Sequence, residues 1–130
     1  MTAKVMPDRR YTRTDEWLQI DGSYALVGIS DYAQDSLSDI VYVELPGVGD
    51  TFDQGQAFGV VESVKAASDI LMPVAGEVIE VNDAAVDKPE SLNSAPYDTW
   101  LVKILISDAG QIQNLMDAEA YEQYLSTREH

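Results

Sequence analysis

The chain contains no cysteine, so the polypeptide supplies no thiol nucleophile, no disulfide and no thiolate metal site. Any sulfur chemistry has to be imported. Its single histidine is His130, the terminal residue, which argues against a Ser-His-Asp arrangement or an imidazole metal site. Only 8 Lys and Arg stand against 23 Asp and Glu, for a formal net charge of -15. Phosphate contacts require clustered cations, so neither nucleic acid nor an anionic membrane is an expected partner, and proteins that dock here should present basic surfaces. No apolar run approaches the roughly 18 residues that span a bilayer, and Met1 to Arg13 carries basic residues without the apolar segment of a secretory signal. The expectation is a cytoplasmic protein of bacterial type, with no transit extension ahead of the fold.

What is present fits one compact unit, since 130 residues, 45% of them apolar, bury a core without disulfide or metal support. Residues 1–10 are polar and lack periodicity, so a flexible N-terminal arm is expected there, with a single domain over 11–130. Trp17–Ile20 and Tyr24–Gly28 flank Asp21-Gly22-Ser23, the pattern of a hairpin around an Asp-Gly turn. Ser30 is placed to cap a short helix ending near Leu37. Ile40–Leu45 reads as a strand stopped at Pro46-Gly47, and Asp53–Gln56 as a further turn. Gly76 introduces the alternating strand Glu77–Val81, residues 82–97 read as a long irregular connection, and Trp100–Ile106 closes the β region. Asp117 caps a terminal helix with Ala118, Tyr121 and Leu125 on one face. Short strands punctuated by Gly and Pro, with only peripheral helices, indicate an all-β sandwich or barrel. The segment 41–64 and the pair 70–81 and 100–106 share a strand-and-turn texture that hints at two interleaved halves.

Charge distribution isolates one residue. Between Thr14 and Asp87 there are fifteen Asp and Glu but a single Lys or Arg, Lys65. It lies in Val60-Val61-Glu62-Ser63-Val64-Lys65-Ala66-Ala67-Ser68-Asp69-Ile70, whose apolar arms pair as a hairpin with the amine at the tip. An exposed lysine on a turn is ordinary in itself. Here Val64, Ala66 and Ala67 leave the amine unobstructed, and Glu62 and Asp69 are the reverse of the burial or nearby cation that activates a catalytic lysine. Lys65 is therefore better suited to be an acylated handle than a base. Other signals are weaker. Asp35-Ser36-Leu37 has the look of a phosphopantetheine triplet, but the carriers that use one are helical bundles and this triplet is surrounded by strands. Gly47 and Gly49 lack the lysine and helix of a phosphate-binding loop. Trp17 and Trp100 are expected core anchors, and most of the carboxylates solvated surface.

The stretch Val60 to Asp69 resembles the lipoyl-attachment segment of the glycine cleavage system H proteins nearly position for position. The resemblance continues through Asp15-Glu16-Trp17, Val27–Gln34, Asp39–Pro46, Gly76–Asn82, Asn93–Tyr97 and Asp117–Tyr121, covering about residues 11–125. It implies a barrel-sandwich hybrid of the lipoyl/biotinyl-domain type, with short peripheral helices and a C-terminal helix. It further implies lipoate in amide linkage to Lys65, within the attachment context Glu62, Ser63, Val64, Ala66, Ala67 and Ser68, and a carrier that is not itself a catalyst. The implied partners are glycine decarboxylase (the P protein), aminomethyltransferase (the T protein), dihydrolipoamide dehydrogenase (the L protein) and lipoate-attaching enzymes. In that family the loaded arm folds back into a cleft, whose residues map onto Thr14, Glu16 and Asp69. Asp15 and Tyr32 depart from histidines found in family members. Alternatives are an H-like protein that relays lipoate, a lipoyl domain serving 2-oxoacid dehydrogenases, and an acidic binding module. A biotinyl domain is disfavoured because Val64-Lys65-Ala66 lacks the flanking methionines.

Overall fold

The computed structural model describes residues 3–128. Its strands are β1 (Arg10–Tyr11), β2 (Glu16–Asp21), β3 (Tyr24–Ile29), β4 (Ile40–Glu44), β5 (Thr51–Phe52), β6 (Ala57–Ser63), β7 (Ala67–Leu71), β8 (Gly76–Val81) and β9 (Val102–Ile106). They form a six-stranded sheet of order β1-β2-β3-β9-β8-β5 and a three-stranded sheet of order β4-β6-β7. Every strand pairing is antiparallel. Helices are short and peripheral: α1 (Asp31–Leu37), α2 (Asp83–Asp87), α3 (Ser91–Ser94) and the C-terminal α4 (Ala118–Arg128), with a 3₁₀ turn at Ala109–Asn114.

Alternating side chains from the two sheets meet in one apolar cluster. Leu18, Val27, Val78 and Ile104 come from the larger sheet, and Ile40, Val43, Val61 and Ile70 from the smaller. This is the period-2 logic of half-buried strands, each presenting one face to the partner sheet. The segment 41–64 feeds both sheets, because β5 crosses to pair with β8 while β4 and β6 stay together.

A second, aromatic cluster forms between the outer end of the larger sheet and α4, from Tyr11, Trp17, Tyr97, Tyr121 and Leu125. Tyr11 and Tyr121 stack with ring centroids 4.2 Å apart, and the Trp17 indole N–H donates to the Pro96 carbonyl at 3.0 Å. Gly28 makes room for Trp17, since a Cβ at position 28 would lie 2.5 Å from the indole. Trp17 is thus the core anchor its strand implied, and Trp100 packs partly buried on the same cluster.

The expected local signals are present. Gly22 adopts φ +63 in the turn between β2 and β3. The Ser30 hydroxyl accepts from the Ala33 N–H at 3.2 Å, and the Asp117 carboxylate accepts from Ala120 at 2.9 Å. Two expectations need correction. Residues 3–10 are not a loose arm: Ala3, Val5 and Met6 pack on the aromatic cluster, and Arg9 is buried. The Arg9 guanidinium lies 4.7 Å from the centre of the Trp17 ring and donates to the Tyr97 carbonyl at 2.8 Å. A cation–π contact and a buried hydrogen bond hold a segment whose own sequence has no periodicity. Met1 and Thr2 lie outside the described residues. The connection 82–97 is likewise not wholly irregular, because α2 and α3 form within it and bury Ala85 and Leu92.

Candidate functional site

Strands β6 and β7 pair through Val61↔Ser68 and Glu62↔Ala67 and are joined by Val64, Lys65 and Ala66. The turn is built by one hydroxyl. Ser63 Oγ accepts from the backbone N–H of Lys65 at 3.1 Å and of Ala66 at 3.0 Å, and Ser63 N–H donates to the Ala66 carbonyl at 2.8 Å. Serine imitates a backbone turn in this way, satisfying donors that the ladder cannot reach. The Val64 N–H donates to the Asp39 carbonyl at 3.0 Å, tying the tip to the start of β4. Lys65 itself is exposed, its ammonium donating to the Ser36 carbonyl in α1 at 3.1 Å. Val64 beside it is 70% exposed, so the tip is apolar as well as open. Glu62, Ala66, Ala67 and Ser68 are also exposed, and Ser63 is half-buried. Ser36 meets Lys65 through its backbone alone, which gives the Asp35-Ser36-Leu37 triplet a structural use.

Glu16 is the opposite kind of residue. It opens β2 and is 2% exposed. Its Oε1 accepts from the Thr12 and Thr14 hydroxyls, each at 2.5 Å, and its Oε2 accepts from the Leu71 N–H at 3.1 Å. Burial raises the Glu16 pKa above its ordinary value, and the two threonine hydroxyls and the Leu71 amide pull against that shift. A carboxylate offers about four lone-pair sites, so these bonds leave one for a further donor. Thr14 and Glu16 line a cavity of about 290 Å³ together with Gln54, Leu71, Met72 and Met116. Thr14 and Glu16 are therefore brought together. Asp69 stands apart on the exposed face of β7, opposite Val60 and two positions before the Leu71 whose amide Glu16 holds. From Ala67 to Leu71 the strand covers about 13 Å at a rise of about 3.3 Å per residue, with Lys65 in the turn two residues before it.

Sequence reasoning missed the supports of the Glu16 loop. Thr12 carries half of the hydroxyl pair on Glu16, and a four-residue spacing outside a helix gave no cue. Asp15 and Tyr32, noted only as departures from histidine, both meet Arg128: its Nη1 donates to Asp15 Oδ1 at 2.7 Å, and its guanidinium lies 4.3 Å from the Tyr32 ring centre. No element of sequence pattern joins residues so far apart.

Two antiparallel sheets closed over one core, with a lysine displayed on the turn of an exposed hairpin, make this a barrel-sandwich hybrid of the lipoyl-domain class of carrier. A family model described as Glycine cleavage H-protein matches residues 9–128. Glycine cleavage system H protein 1 of Caldanaerobacter subterraneus subsp. tengcongensis is 49% identical over 124 residues, covering 95% of this chain and 99% of that one. Glycine cleavage system H protein 2, mitochondrial, of Arabidopsis thaliana is 50% identical over 121 residues, covering 92% of this chain and 78% of that one. The crystal structure of a glycine cleavage system H protein from Mycobacterium marinum superposes with a TM-score of 0.83 at 36% identity, over 95% of this chain and 98% of that one. The chain belongs to the glycine cleavage H-protein family, and its function is that of a lipoyl carrier in glycine cleavage. Among the described residues no helix is long and apolar enough to cross a membrane.

Proposed function

We propose that Lys65 is the residue to which lipoate is joined, and that the chain acts as a non-catalytic carrier moving among the other proteins of glycine cleavage. The observation that carries this reading is the Lys65 turn: an exposed amine whose root is fixed by the bonds of Ser63 and Asp39. An amine so placed fits acylation, because the attaching enzyme reaches it without unfolding anything. Lipoate in amide linkage supplies the dithiolane that a cysteine-free chain lacks. The chain's own residues fix where the tether starts and leave its far end free to enter successive active sites, raising local concentration without tight docking.

The partners in this reading are the P protein, from which the aminomethyl group is collected, the T protein, to which it is delivered, and the L protein, which reoxidises the dithiol, all in the cytoplasm. Lipoate-attaching enzymes act before them. The formal charge of -15 favours association through steering toward basic surfaces. Thr14, Glu16 and Asp69 serve as the resting cleft of the loaded arm. A group rooted at Lys65 would meet Asp69 on the exposed face of β7 and, past the end of that strand, Thr14 and Glu16, whose carboxylate would supply an acceptor for an ammonium.

Intact mass tests the attachment. Co-expression with a lipoylating enzyme should add one lipoyl increment, absent in Lys65→Arg, and reconstituted glycine–bicarbonate exchange with a P protein should fall to background in that variant. A full increment on Lys65→Arg, or normal exchange by it, would overturn the assignment; a lipoylated wild type inert in exchange would point to lipoate relay instead.

A further inference from the structure

The loop that carries Thr14 and Glu16 is gripped from outside by the end of α4. Asp15, between them in sequence, adopts φ 75, a left-handed conformation unusual for a side chain with a Cβ. Its backbone is engaged on both sides, the N–H donating to the Thr12 carbonyl at 3.2 Å and the carbonyl accepting from Ser30 at 2.9 Å. Its carboxylate points away from the cleft. Arg128 binds it with both arms of the guanidinium, Nη1 to Oδ1 at 2.7 Å and Nη2 to Oδ2 at 3.1 Å, and the Tyr121 hydroxyl donates to Oδ1 at 2.8 Å. The Tyr124 hydroxyl donates to the Arg13 carbonyl at 2.9 Å. Arg128 is itself flanked by rings, 4.3 Å from the Tyr32 centre and 4.9 Å from that of Tyr124.

This is more than a helix end finding a surface charge. The Asp15 side chain is 11% exposed and that of Arg128 28%, so the pair is shielded and its fork geometry is specific. The pairing raises the Arg128 pKa further above its already high value. Asp15 also adds to the upward shift of Glu16 as a neighbouring negative charge, and Arg128 balances that charge on the side away from the cleft.

We propose that Arg128 is a positioning residue for the arm cleft: by clamping Asp15 it holds the strained turn at residues 12–16 in the one arrangement that aims Thr14 and Glu16 at the end of β7. Its consequence for the arm rests on the reading of Thr14 and Glu16 as the arm's resting cleft. The last turn of a C-terminal helix thereby controls how well a tether rooted on the opposite sheet is sheltered.

The Leu71 amide reports on the clamp directly, because its N–H is bonded to Glu16 Oε2. In the full-length, unlipoylated protein, Arg128→Gln should accelerate hydrogen exchange at Leu71 about tenfold while leaving Val61 and Ile104 in the core unchanged. Arg128→Lys should recover only part of the protection, a single ammonium being unable to bridge both oxygens. Asp15→Asn, which keeps the shape and the Tyr121 bond, should match Arg128→Gln, and the double variant should be no worse than either single one. In the lipoylated protein, loading with the aminomethyl group should shift the Glu16 and Leu71 amide resonances, and Arg128→Gln should shrink those shifts. Wild-type exchange at Leu71 in Arg128→Gln with α4 intact by circular dichroism would overturn the clamp, as would additive effects of the two variants. If Arg128→Gln unfolds α4, Asp15→Asn decides alone, wild-type protection again overturning the proposal. Should the intact mass show no acyl group on Lys65, the attachment fails while the exchange data still judge the clamp.

Discussion

Lys65 and Glu16 lie at the two ends of β7 and are built in contrasting ways. The lysine stands on a turn closed mainly within Ser63–Ala66 by one hydroxyl, in solvent, beside an exposed valine. The glutamate is buried, bonded on three sides, and dependent on residues from β7 and, through Asp15, on the Ser30 cap and on α4. In the proposed reading, Lys65 is a handle that several enzymes reach, and a short-range support that survives every encounter suits that role. In the same reading the Glu16 pocket receives one cationic group, and desolvated, preoriented acceptors held from many directions suit that role.

That contrast can be broken deliberately, beginning with the largest effect. Trp17→Ala removes the buried anchor of the aromatic cluster and should cost about 3–5 kcal/mol of unfolding free energy by denaturant titration. If Lys65 belongs to a separately supported hairpin, whatever folded protein remains should still accept lipoate at the wild-type rate. Glu16→Gln should come next. A carboxylate whose folded pKa is raised above its ordinary 4.5 contributes stability below that value which is lost as pH rises through the folded pKa. The difference in stability between wild type and Glu16→Gln, measured across pH 4 to 8, should therefore move in favour of the glutamine form as pH rises; a flat difference would show that burial does not govern this group. Ser63→Ala should cost least, about 1 kcal/mol for the lost turn bonds. It should slow lipoylation without abolishing it and leave Leu71 exchange untouched.

The same contrast explains how much could be read without coordinates. The Lys65 hairpin, the Asp-Gly turn before β3 and the caps Ser30 and Asp117 all depend on partners within a few residues, and all stand as expected. The two-sheet architecture followed from strand periodicity and from the family resemblance. Residues 3–10 were misjudged because Arg9 is fixed by Trp17 and by Tyr97, the latter 88 positions away. Helices α2 and α3, of 5 and 4 residues, are too short to show a period. Asp15 and Arg128, separated by 113 positions, have no local signature at all. Thr14 and Glu16 do line one cavity, while Asp69 stands outside it on the exposed face of β7, a distinction that a shared motif does not encode.

The guanidinium of Arg9 resting on Trp17 gives the protein an internal fluorophore for its own N-terminus. The indole is fully enclosed and a cation sits against its face, so lifting residues 3–10 away would hydrate the ring and redden its emission without unfolding the sheets. Spectral changes on mixing with another protein would then reveal whether docking disturbs this segment, with no label added, once the half-buried Trp100 is replaced by phenylalanine to leave a single emitter.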